Sequence, residues 1–199
     1  MPLGAFKAAL MGTAGVSAGA DVVLLSTTTA SNASAVSITS GIDSTYGEYI
    51  FKLYNINPAT NDSNCTFQVS TDGGSSYGVA ITSAALAAIH TEDDGEASLF
   101  NATGQDLSQS TSYQQIANEQ SNDADSGGCG ELHLFNPSST TYAKHFMLRF
   151  GFMDDAYSAS GIKDSVISGY INSTSAVNAI QFKMSSGNFD GKIKMWGIK

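Results

Sequence analysis

The chain has 199 residues, 42% of them hydrophobic and only 14% charged, with a formal net charge of −9. Its length suits one domain with a sizeable core, and its charge is well below the roughly 25% of an average soluble domain, so solubility must come from Ser, Thr, Asn and Gly. With Arg149 the one arginine and a small group of lysines (Lys183, Lys192, Lys194, Lys199) near the C-terminus, the chain is poorly equipped for nucleic acid or an anionic membrane surface.

Residues 1–33 show no sustained period and read as an N-terminal anchoring arm, followed by a β-sandwich domain over 34–199. Leu3 and Phe6 are the arm's apolar anchors, the residues expected to hold a partner, set among small residues that permit close backbone approach. The stretch after Lys7 is weakly apolar and broken by Gly12 and Gly15, which makes a poor secretory leader.

Beyond the arm, period-2 runs recur between turn residues. Ala35–Thr39 is a short β-branched strand. Glu48–Tyr54 places Tyr49, Phe51 and Leu53 on one face, and Cys65–Ser70 aligns Cys65, Phe67 and Val69. Thr71-Asp72-Gly73-Gly74-Ser75 predicts a hairpin leading into Tyr77–Ile81, because paired glycines accept positive φ. Ala84–Ile89 has the propensity for a turn or two of helix. Residues 91–130 read as long loops around one or two short strands, with Leu107–Ile116 the best candidate.

Alternation then returns. Glu131–Phe135 points Leu132 and Leu134 inward, and Ala143–Phe150 does the same with Phe146, Leu148 and Phe150. Ser165–Ile171, Asn178–Met184 and Lys192–Ile198 complete the set, the last opposing Ile193 and Met195 to Lys192, Lys194 and Trp196. So many half-apolar strands bury their faces most simply as two stacked sheets, and the irregular connections predict a jelly-roll-like antiparallel β-sandwich of eight to ten strands.

Residues able to do chemistry are scattered. The histidines are His90, His133 and His145, with no third ligand at zinc spacing. Asp123 and Asp125 precede Gly127-Gly128 as in a calcium loop, but Leu134 stands where the bidentate Glu is needed. Asp154 and Asp155 are adjacent, a poor arrangement for opposed glycosidase carboxylates. Nucleophile elbows, phosphate loops and Cys-x-x-Cys pairs are lacking, so the expectation is a non-enzymatic chain without cofactor or metal. Cys65 is expected to be a buried free thiol. Tyr142, Tyr157, Tyr170 and Trp196 are candidate glycan contacts, by stacking, with core or interface packing as the alternative for each.

Three segments carry a resemblance. Ser37–Lys52, Gly130–Thr141 and Ile180–Asn188, with the ending Ile193-Lys194-Met195-Trp196-Gly197, resemble a family of small structural proteins of marine and cyanobacterial tailed phages across residues 36–198. The opening Met1-Pro2-Leu3-Gly4-Ala5-Phe6 is similar to the start of virion proteins with lectin-like jelly rolls. The resemblance implies a sandwich displayed on the virion and attached through the arm to other virion proteins. A homo-oligomer is expected, trimeric for preference, with host-surface glycan as a candidate partner, while the charge balance argues against nucleic acid and membrane insertion. Tail-fibre or other tail-associated host attachment is the first expectation. Capsid decoration is the second, and a glycan hydrolase is the reading from a different class.

Overall fold

The structure, a computed structural model, describes residues 21–154 and 160–199. Among the described residues there is no helix. Twelve strands form two antiparallel sheets: β1 (Val22–Ala33), β2 (Val36–Ile38), β3 (Glu48–Pro58), β4 (Cys65–Ser70), β5 (Ile81–Thr91), β6 (Ala97–Asn101), β7 (Gln114–Gln115), β8 (Gly128–Phe135), β9 (Lys144–Asp154), β10 (Gly161–Ile171), β11 (Ala179–Met184) and β12 (Phe189–Ile198). The large sheet runs β1-β12-β3-β8-β9-β10-β5-β6 and the small one β2-β11-β4-β7.

The two sheets face each other across one core, the sandwich that the alternation predicted. Phe51 of the large sheet meets Phe182 of the small one with ring centroids 5.8 Å apart, and Phe67 meets Phe146 edge-on at 5.3 Å. Each such ring contributes roughly 1.5–3 kcal/mol by leaving water, with about 0.5–1.5 kcal/mol more per favourable ring pair. The inward series Tyr49/Phe51/Leu53, Leu132/Leu134, Phe146/Leu148/Phe150 and Ile193/Met195 is buried throughout. In β4 both faces are covered, so Cys65 is buried along with Thr66 and Gln68.

Three local expectations are corrected. The sandwich begins before residue 34, because Val22–Ala33 forms an edge strand running antiparallel to β12, from Val22 opposite Ile198 to Ala33 opposite Phe189. Its Thr-rich sequence lacks an apolar period since an edge strand buries little on either face. Ala84–Ile89 is strand: Ala85, Ala87 and Ile89 face the core while the backbone pairs with β10 on one side and β6 on the other. So short an alanine run cannot offset the cost of helix nucleation, whereas the sheet supplies a partner on both sides. The turn at Asp72–Ser75 exists, with Gly73 and Gly74 at φ +74° and +88°, but it is not a hairpin. β4 pairs with β11 and β7, and the chain after the turn crosses to β5 in the other sheet. Turn glycines permit a reversal, and the core decides which strand lies alongside.

Candidate interaction surfaces

The large sheet turns its second face to the surroundings, and that face has two halves. Over β12, β3 and β8 it is polar: Lys192, Lys194, Lys52, Glu131 and His133 follow one another across the strands. His133 lies between two carboxylates, with Nδ1 2.5 Å from Glu48 Oε1 and Nε2 3.3 Å from Glu131 Oε1. The hydrogen bond to His133 holds the Glu131 carboxyl below its usual range against partial desolvation, with Lys52 adding to the effect.

Over β9, β10, β5 and β6 the same face exposes several apolar side chains around the Arg149–Asp164 ion pair and His90. Val166 stands opposite Leu86, and Ala88 opposite Leu99, with Ile162 and Met147 on the same surface. Leu99 is 73% exposed, and Leu86, Met147, Ile162 and Val166 are each about half exposed. β6, the edge strand here, has all five residues exposed and carries neither charge nor proline. Exposed apolar side chains grouped next to an unprotected edge are typical of contact regions.

A groove of about 540 Å³ runs along the boundary between the halves. Gly151 faces into it, and an added Cβ there would meet nothing closer than Ile162 Cδ1 at 3.8 Å. Tyr54, Cys129 and the ion pairs Lys52–Glu131 and Arg149–Asp164 form its walls. Arg149 grips Asp164 through Nε and one terminal nitrogen (2.7–3.1 Å), and the paired carboxylate raises the guanidinium pKa.

The four candidate aromatic residues do not form one platform. Tyr142, 75% exposed, stands over a cleft of about 640 Å³ in the β8–β9 connection, with Phe135, Asn136 and His145. Tyr170 is half-buried, its ring 6.1 Å from His145 and its hydroxyl accepting a hydrogen bond from Gln109 Nε2 at 3.1 Å. His145 thus borders both the cleft under Tyr142 and the Tyr170 ring. Trp196 lies on the polar half, partly buried opposite Leu24 and Ile50, with its indole N–H buried and unpartnered. Tyr157, Leu3 and Phe6 lie outside the described residues.

Cys65 and Cys129 are both free thiols, one buried and one exposed. Burial pushes the Cys65 thiol up to about 12. His133 and His145 lie on adjacent strands but out of register, since His133 faces Met147.

Sequence reasoning missed the apolar side chains exposed on the outer face. Their signal is an inverted alternation in β10, where Lys163 and Ser165 point in while Ile162 and Val166 point out. It also missed the buried Lys144, whose Nζ donates to the carbonyls of Ser173 (2.8 Å) and Ser175 (2.6 Å) and whose pKa is lowered by desolvation. No protein-family model matches the chain, and neither a curated protein nor a solved structure does.

Proposed function

We propose that the chain is a non-enzymatic structural protein of a tailed-bacteriophage particle, joined to it through the N-terminal arm, and that it serves as a tail-associated host-attachment component. The observation that carries the assembly part is the group of apolar side chains exposed on the outer face of β9-β10-β5-β6. Leu86, Leu99, Ile162 and Val166 remain exposed there in a chain whose surface is otherwise hydroxyl- and amide-rich. A monomer gains nothing from such a face, whereas neighbouring copies or other particle proteins bury it at roughly 25 cal/mol per Å². The phage part is supported by the sequence resemblance over residues 36–198.

Quantitative mass spectrometry of purified particles tests the reading. The chain should be present in few copies, and Leu99→Lys with Val166→Lys should fold normally yet fail to load or self-associate. High copy number on heads would instead make it a capsid decoration protein. Absence from particles would overturn the proposal.

A further inference from the structure

We propose that the cleft beside β6 is a binding site for a neutral saccharide. The proposal rests on the host-attachment reading and names its ligand class, at a place separate from the tyrosines considered above. The cleft, about 510 Å³, lies between β6 with the turn after it, the 115–119 segment and the 62–64 turn. That volume falls within the roughly 300–1,000 Å³ of small-molecule sites.

Gln105 lines the cleft and is only 3% exposed, and neither its amide nitrogen nor its amide oxygen has a hydrogen-bond partner. Its backbone is nevertheless anchored. The amide N–H donates to Ala102 at 2.8 Å, and the carbonyl accepts from Gln114 Nε2 at 2.8 Å. Gln114 is fully buried and leaves its own Oε1 unpartnered. Buried amides are normally satisfied, so the unpaired Gln105 amide lining an open cleft points to a polar ligand.

The rim has matching chemistry. Asn64 Oδ1 accepts the Glu119 N–H at 2.9 Å, which fixes its amide orientation, and Asn118 Nδ2 donates to Glu119 Oε2 at 3.1 Å. Asn101 adds another amide, and Phe100, 36% exposed, adds an aromatic ring. Planar amides and carboxylates pair with vicinal hydroxyls, while a ring covers the C–H face of a pyranose. Among the described residues, the cleft is lined by the carboxylates Asp62 and Glu119 and by neither lysine nor arginine. Glu119 Oε2 lies 3.8 Å from the buried Lys163 Nζ, which does not line the cleft. Sulfated, phosphorylated and sialylated ligands would be repelled, so the ligand is an uncharged sugar.

The test is a protein-observed NMR titration of the full chain with neutral gluco-, manno- and galacto-oligosaccharides, and with a sulfated oligosaccharide for comparison. Saturable shifts centred on Phe100, Asn101, Gln105 and Asn118 are expected with at least one neutral probe. Phe100→Ala and Asn101→Ala, at exposed positions, should keep the fold and weaken binding by at least about tenfold. Gln105→Leu should abolish binding. Should that variant not fold, the two surface variants decide. The proposal is overturned by no response at millimolar probe, by a response only to the sulfated probe, by shifts centred on Tyr142, or by wild-type affinity in the variants. Presence on particles is measured separately: a particle-borne protein without sugar binding loses only this site, and a sugar binder absent from particles loses only the attachment reading.

Discussion

Lys163 Nζ lies 2.6 Å from Asp154 Oδ2 inside the sandwich, with the two side chains 3% and 0% exposed. The residues are diagonal neighbours on β10 and β9, since Lys163 faces Phe152 and Asp154 faces Gly161. Both carry their charge on the inner face, where apolar side chains would be expected. Removing one partner leaves the other buried without its nearest counter-charge, so Lys163→Met or Asp154→Leu should each cost about 3–5 kcal/mol. The double substitution should recover most of that loss. Urea unfolding of the four proteins measures the coupling, and simple additivity would argue against a stabilising pair.

Truncation should distinguish the arm from the sheet. Deleting residues 1–20 removes nothing of the described fold and should leave Tm nearly unchanged while abolishing incorporation into particles. Deleting residues 1–33 also strips β1 from β12 and uncovers half-buried Leu25 and buried Ala30. A loss of roughly 2–3 kcal/mol then corresponds to a Tm lower by about 4–12 °C. Equal Tm values for the two truncations would show that β1 adds no stability.

Thiol labelling should separate the two cysteines. Only the thiolate reacts, and Cys65 is both buried and held at a pKa of about 12. Cys129 should modify rapidly in native protein, and Cys65 only after unfolding. Cys65→Ser should cost about 1–3 kcal/mol by burying a hydroxyl, and Cys129→Ser should be near neutral. Rapid native labelling of both would contradict the burial.

Asp72 ties the turn after β4 to pH. Its carboxylate accepts hydrogen bonds from the hydroxyls of Ser70 and Ser76 and from the Ser76 N–H, which lowers its pKa from 3.8 to about 2. The folded-state value lies below the unfolded one, so the folded state favours the ionised form. The contribution is therefore fully present above about pH 4 and disappears as pH falls through about 2. Asp72→Ala should be destabilised at neutral pH, and its deficit relative to wild type should shrink on acidification. A pH-independent difference in the denaturant midpoint would mean that the turn does not need the charge.

Two glycines of the boundary groove should behave differently. A Cβ on Gly130 would collide with the Arg149 carbonyl and lie 2.7 Å from Phe150 Cα, both on the neighbouring strand's backbone. Gly130→Ala should therefore destabilise by about 1–3 kcal/mol. Gly151→Ala, with open space before it, should fall within about 0.5 kcal/mol of wild type. Thermal melts measure both, and equal penalties would contradict the close approach of β8 to β9.

The sequence by itself determined the all-β class and the inner face of most strands. Tyr49, Phe51 and Leu53, or Phe146, Leu148 and Phe150, alternate with polar residues, and a pleated strand can put such a series on only one side. It also placed Cys65 in the core, as part of the same alternation as Phe67 and Val69. The tertiary structure decided where local preference is weak or contradicted. Ala84–Ile89 became strand because β10 and β6 lie on either side of it. Val22–Ala33 joined the sheet because β12 offered an open edge. The candidate sites depended on it still more. Lys163 meets Asp154, and Gln105 meets Asn64 and Phe100 around one cleft, only because strands and turns far apart in sequence converge there. No spacing along the chain encodes that convergence, since it depends on which strands pair and on which polar groups the core leaves without partners.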